Sequence, residues 1–220
     1  MKGTLLARTC RRGTALLARA TSDIVLSKDL VDSDDASRGT LLQVCAFDGG
    51  EATFFDRIAP PWRADAADME LLRIYVRCGY RALFAEVDGT IVGHMWWVDG
   101  LHPHLARYDV RLRPREAWAF NFFLEPRYRG GGNANEFLSK FEQHLRRRGF
   151  ERVWGVVASD NKPARWLYSL CGWRPQKVVD SVEIAGRLLF APTGLFLRNS
   201  RRKGRAHDYR PIASWRRTPN

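Results

Sequence analysis

What the chain lacks narrows it first. It has four cysteines in 220 residues, Cys10, Cys45, Cys78 and Cys171, and no C-x-x-C pair. A disulfide framework or a zinc ligand set needs closely spaced cysteines, so neither is expected. Scattered thiols suit a reducing compartment, and a cytoplasmic location is the expectation. No metal is expected: His102-Pro103-His104 has no third ligand spaced to complete a site, and it reads as a solvated loop. No apolar run approaches the length of a membrane span. Acids are scarce, with 24 Asp and Glu against 36 Lys and Arg, which gives a net charge of +12. That balance favours phosphate-bearing ligands, nucleic acid or an anionic membrane face as partners.

What is present indicates one globular domain with its own core: 45% hydrophobic and 12% aromatic residues in a chain long enough to bury them. Basic residues dominate 1–21, with no acid before Asp23, and LLAR recurs at 5–8 and 16–19. A spacing of eleven residues places both copies on one face of a helix. Asp32, Asp34 and Asp35 then read as an acidic linker, so residues 1–40 form a basic extension and linker, 41–197 the domain, and 198–220 a basic tail. Eight Lys and Arg against the single acid Asp208 mark that tail, and contact with nucleic acid or membrane would run through the two basic ends of the chain.

Within the domain, Leu41–Phe47 reads as a strand, Glu51–Ile58 as a short helix, and Ala64–Arg77 as a helix with Met69, Leu72 and Tyr75 on one face. Arg81–Val87 and Thr90–Val98 flank Asp88-Gly89, a hairpin signal. Residues 99–115 read as an irregular basic connection. Ala117–Leu138 is the stretch around which the rest is organised. Trp118, Phe120, Phe122 and Leu124 alternate as in a strand. Pro126 ends it, Arg129-Gly130-Gly131-Gly132-Asn133-Ala134 follows, and a helix begins at once. Strand, glycine loop and helix start together hold phosphate, because the backbone approaches closely and several N–H groups point one way.

A Walker loop would need Lys-Ser/Thr after the last glycine, and the dinucleotide fingerprint would need G-x-G-x-x-G; neither is present. Downstream, after a helix to Arg148 and a strand over Arg152–Val157, a second motif runs Asn161, Ala164, Leu167, Tyr168, Gly172, Trp173. Val178–Ile184 and Arg187–Leu197 read as closing strands.

The loop and the second motif, in this order and spacing, resemble the two signatures of the GNAT superfamily of N-acetyltransferases: Q/R-x-x-G-x-G/A, and N-x-x-A-x-x-L-Y-x-x-x-G-F with Trp173 in place of Phe. The likeness covers about residues 40–195. It implies an α/β (α+β) fold with a mixed, mostly antiparallel sheet, helices on both faces, and two central strands splayed apart. It further implies acyl transfer from acetyl-CoA to a primary amine, without a metal. On that likeness, Arg129, Gly130, Gly131, Gly132, Asn133 and Ala134 bind the pyrophosphate, while Leu124 and Asn161 meet the pantetheine arm. A main-chain N–H polarises the thioester carbonyl, and Tyr168 protonates the departing thiolate. The base is open between Glu125, slightly favoured as nearer the thioester, and Glu116, with His94 or a water chain as further options. Cys171 reads as a structural thiol rather than a nucleophile. Asn133 departs from the apolar residue that anchors the loop in the family, and a looser loop is expected. Two alternatives stay open: an inactive binding module using its basic ends, and an enzyme taking a longer acyl chain or a carrier-protein donor.

Overall fold

The computed structural model describes residues 18–31, 42–48, 53–59, 66–184 and 187–190. The LLAR repeats, the acidic linker and the basic tail lie outside them.

Among the described residues, eight strands form one sheet in the order β2-β3-β4-β5-β6-β1-β7-β8. They are β1 Ala18–Asp29, β2 Gln43–Phe47, β3 Arg81–Val87, β4 Thr90–Val98, β5 Glu116–Leu124, β6 Arg152–Ala158, β7 Arg174–Ile184 and β8 Arg187–Phe190. Every neighbouring pair is antiparallel except β5 and β6. The helices are α1 Ala66–Arg77, α2 Pro103–Arg107, α3 Asn133–Arg147 and α4 Lys162–Leu170, with 3₁₀ turns over Thr53–Arg57 and Pro126–Tyr128. The fold is thus the mixed, mostly antiparallel α/β sheet expected from the sequence. No helix among the described residues is long and apolar enough to cross a membrane.

Each face of the sheet carries its own core. On one, Phe137, Leu138, Phe141 and Leu145 of α3 pack with Tyr168 of α4 against Leu26, Trp97, Leu124 and Val157. On the other, Met69, Leu72 and Tyr75 of α1 and Leu105 of α2 pack against Val25, Phe84, Trp96, Trp118 and Phe120. Helices α1, α3 and α4 all end in the same way. A glycine at positive φ (Gly79, Gly149, Gly172) turns the chain, and the next residue's N–H returns to the carbonyl five residues back. Those bonds are Tyr80 to Tyr75, Phe150 to Leu145 and Trp173 to Tyr168. This motif satisfies carbonyls the helix would otherwise orphan and brings two large side chains together.

The main departure from the sequence reading is β1. It lies between β6 and β7, not in an extension ahead of a domain starting at residue 41. Seven of its residues pair with β6, from Asp23↔Ala158 to Asp29↔Arg152, and ten pair with β7, from Ala18↔Ile184 to Ser27↔Arg174. A central strand with Asp23 in its middle gives little local signal, because its partners lie more than 120 residues away. Lys28 on β1 also donates to Glu142 of α3 at 2.5 Å, fastening the strand to the helix that covers it. The connection read as irregular contains α2. His102, read as part of a solvated loop, is buried, its ring 4.4 Å from Phe120 and 5.0 Å from Tyr80.

Candidate active site

Strands β5 and β6 run side by side for three pairs only: Glu116↔Arg152, Ala117↔Val153 and Trp118↔Trp154. Beyond these the nine-residue β5 stays with β4 and β6 stays with β1, so a gap opens between them. A bulge in β5 accompanies the divergence. Trp96 pairs with Phe120 and His94 with Phe123, so Asn121 and Phe122 stand opposite Met95 alone. Asn121 adopts φ 51°, a left-handed conformation that Asn tolerates better than most side chains. Gly93 keeps β4 close at this point, because a Cβ there would lie 2.8 Å from the Leu124 side chain and from the Phe123 carbonyl.

The glycine loop sits at the open end. Tyr128 N–H donates to Glu125 and Arg129 N–H to Pro126, closing the 3₁₀ turn, and Gly131 and Gly132 take φ 64° and 86°. Only glycine adopts such angles without strain. Asn133 N–H donates to Gly130 and Glu136 N–H to Gly132. The N–H groups of Gly131, Gly132, Ala134 and Asn135 have no main-chain acceptor among the described residues. Nothing lies within 4 Å of where a Cβ would stand on Gly130, Gly131 or Gly132. Open space beside donors at the positive end of a 15-residue helix is a fit for a pyrophosphate. Asn133 does not leave the loop loose: its Nδ2 donates to the Tyr128 carbonyl at 3.1 Å, a polar tether in place of an apolar anchor. Arg129 turns back, its Nε donating to the Leu124 carbonyl at 2.6 Å, so that Leu124 oxygen already has one partner.

Tyr168 is buried in the cluster that also holds Leu124 of β5 and Val157 of β6, on either side of the gap. Its ring meets Trp173 edge-on at 5.0 Å. Asn161 caps α4, its Oδ1 accepting from Ala164 N–H at 3.2 Å. Glu125 is buried at the open end, gripped by Arg127 through Nε to Oε1 at 3.0 Å and Nη2 to Oε2 at 3.1 Å.

Glu116 is elsewhere. It occupies the closed end, where it accepts from Arg113 N–H at 3.0 Å and Trp154 Nε1 at 3.1 Å. Eight residues of strand, roughly 27 Å, separate it from Leu124, so the structure does not join it to the loop or to Tyr168. It belongs to a separate open cleft of about 380 Å³ with Asp29, Arg113 and Arg152. His94 lies opposite the bulge, stacked on Phe123 at 5.4 Å. Burial lowers its pKa to about 3, with a backbone hydrogen bond at Asn121 working the other way, so it is neutral at physiological pH and a weak base. Cys171 donates to Asn135 Oδ1 at 2.8 Å. Burial, with the nearby Glu142 charge second, pushes its thiol up to about 12, which denies it the thiolate a nucleophile needs.

Among the buried carboxylates, Glu142 as well as Asp23 escaped the sequence reading. Glu142 sits inside the apolar stripe of α3, accepting from Trp173 Nε1 at 2.6 Å and from Lys28. Burial raises its pKa, opposed by Lys28 and by the hydrogen bonds. The signal was Trp173 itself: an indole in place of Phe brings an N–H that needs an acceptor.

A family model described as the acetyltransferase (GNAT) family matches residues 50–173. The chain is 30% identical over 107 residues to an acetyltransferase of Yersinia pestis (strain Pestoides F) and, to the same extent, to one of Yersinia pseudotuberculosis serotype I. Those matches cover 49% of this chain and 64% of each relative. Among solved structures, a protein of Novosphingobium aromaticivorans assigned to the GNAT family as an acetyltransferase has a TM-score of 0.50 at 17% identity, covering 82% of this chain and 69% of that one. A tandem GNAT protein from the clavulanic acid biosynthesis pathway has a TM-score of 0.53 at 17% identity, covering 76% and 55%. At such identities these two speak for the fold alone, while the family model spans more than half of the residues. The chain belongs to the acetyltransferase (GNAT) family.

Proposed function

We propose that the protein transfers an acetyl group from acetyl-CoA to a primary amine by direct attack, with both substrates bound together. The observation that carries this reading is the gap between β5 and β6, with the glycine loop at its mouth and the buried Tyr168 beside it. Acetyl-CoA supplies a thioester, an acyl group already activated for attack by nitrogen. The amides of Gly131, Gly132, Ala134 and Asn135 hold its pyrophosphate, and Arg129 adds positive charge. Asn161 fixes the start of α4, which keeps Tyr168 turned inward. From there the phenol donates its proton to the sulfur that departs. Glu125 is the carboxylate at the open end and takes the proton from the incoming ammonium, held in place by Arg127. A half-buried, protonated Cys171 favours one direct step over an acylated enzyme.

Calorimetric titration of the full chain with acetyl-CoA tests the donor assignment. Saturable binding that disappears in Gly132→Trp supports it; binding that survives this substitution places the donor elsewhere.

A further inference from the structure

Strand β4 carries a buried imidazole that the mechanism above leaves idle, and it faces the irregular step in β5. His94 is 3% exposed and stands between Phe84 of β3 and Phe123 of β5 in the register, with its ring stacked on Phe123 at 5.4 Å. It also has a hydrogen bond to the main chain at Asn121 that favours the protonated ring, so the ring is the donor and the Asn121 carbonyl the acceptor. Asn121 takes φ 51°, which turns the peptide that follows it out of the regular strand path. A buried donor on that carbonyl holds the turned peptide in one orientation.

The orientation decides where the other edge of the same peptide points. No peptide bond among the described residues is cis, so the Asn121 carbonyl and the Phe122 N–H point in opposite directions. The carbonyl meets His94 of β4, so the N–H points away from β4, to the side on which β5 borders the gap. The ladder gives the same answer. Glu125 N–H donates to the Val92 carbonyl of β4 at 2.8 Å, and main-chain groups of an antiparallel strand alternate between its two sides. Counting back, Phe123 faces β4, while Leu124 and Phe122 face the gap. Strand β6 offers no partner there, because its last pair with β5 is Trp118↔Trp154. Asn121, Phe122 and Phe123 are also the three residues of β5 that keep partial exposure, the other six being buried.

We infer that His94 is a positioning residue for acyl transfer: by holding the Asn121 carbonyl it aims the Phe122 N–H at the thioester oxygen in the gap. This rests on the acyltransferase reading above. As the amine nitrogen forms its bond to carbon, the carbonyl electron pair moves onto that oxygen, and the fixed N–H stabilises the charge. Return of the pair breaks the C–S bond. The sulfur takes the Tyr168 proton, and the excess proton on the new amide nitrogen restores the phenol. The imidazole exchanges no proton in these steps; burial keeps it neutral, a constant donor to the Asn121 carbonyl.

The test reads the thioester carbonyl directly, by infrared difference spectroscopy of acetyl-CoA isotopically labelled at that carbon. On binding to the full chain the carbonyl stretch moves to lower frequency. His94→Phe keeps a ring against Phe123 and loses the donor, so the stretch of bound acetyl-CoA returns toward its value in buffer. In that variant kcat falls by about 10- to 100-fold, less than for an oxyanion donor removed outright, and KM for acetyl-CoA stays within about 3-fold. His94→Gln, which keeps a side-chain N–H, retains part of the lowered frequency and part of kcat. In the unaltered chain the Phe122 amide NMR signal moves on binding acetyl-CoA and not on binding CoA, which has no acyl carbonyl. A Phe122 signal indifferent to the acetyl group overturns the inference without any variant. So does a His94→Phe protein that binds acetyl-CoA and keeps either the parent carbonyl frequency or the parent kcat. Failure of the unaltered chain to bind acetyl-CoA overturns the acyltransferase reading instead.

Discussion

The N–H of Trp173 donates to the carbonyl of Tyr168 at 2.9 Å while their rings meet edge-on at 5.0 Å. The residue that ends α4 thus fixes the residue proposed to protonate the leaving sulfur. Tyr168→Phe keeps the ring contact and removes the proton. Turnover falls by about 100-fold or more, the usual worth of a general acid, while acetyl-CoA binding is unchanged by calorimetry. Unaltered turnover removes Tyr168 from the chemistry.

Trp173→Phe restores the residue usual in the family and exposes why this chain departs from it. Glu142 loses the indole N–H at 2.6 Å and keeps Lys28. Urea unfolding shows a loss of about 1–3 kcal/mol, the cost of an unsatisfied buried acceptor. A variant as stable as the parent contradicts the network.

Lys28→Met tests how β1 is fastened, and its effect depends on pH. The Glu142 pKa is raised above its ordinary 4.5, so Glu142 binds its proton more tightly in the folded chain. Its contribution to stability is therefore full below about pH 4.5 and is lost as pH rises through the raised value. Without Lys28 the carboxylate is charged, buried and short of a partner at pH 8, where the variant is destabilised by about 3 kcal/mol. The penalty shrinks toward pH 5 as Glu142 takes up a proton. Denaturant midpoints at the two pH values measure the difference, and a pH-independent penalty contradicts the account.

His94 makes the opposite prediction. Its pKa is depressed from 6.5 to about 3, so its contribution is present above pH 6.5 and is lost as pH falls toward 3. Its imidazole NMR signals stay at their neutral positions from pH 8 to pH 5, and titration near 6.5 contradicts the burial described.

Much of this was legible in the sequence. Asp88-Gly89 placed the β3–β4 hairpin with both strands bounded as observed, because an Asp-Gly turn at positive φ is a local signal. Helix α3 was legible from its apolar stripe and Gly149, and α4 from a capping Asp160 or Asn161, Pro163 in its first turn and Gly172 at its end. Strand β1 was not, because its pairing with β6 and β7 is set by residues distant in the chain. Glu116 looked like a candidate because it opens the central strand, but the sequence could not say which end of β5 parts from β6. The bulge at Asn121 likewise has no local signature. Asp23, Arg107 and Tyr108 each look like surface residues until the fold brings them together, with Arg107 and Tyr108 both donating to the Asp23 carboxylate. The consequence for β1 is direct: a chain beginning at residue 41 lacks a central strand, leaves β6 and β7 with unpaired edges, and does not fold cooperatively by circular dichroism melting.

The central claim is amine-dependent acyl transfer, and amine-dependent release of the CoA thiol measures it most directly. With the full chain, acetyl-CoA and a panel of primary amines, thiol appears only when an accepted amine is present, that amine gains an acetyl group, and both outcomes diminish together in Tyr168→Phe. A chain that binds acetyl-CoA but releases no thiol with any amine, or releases it equally without one, contradicts the account.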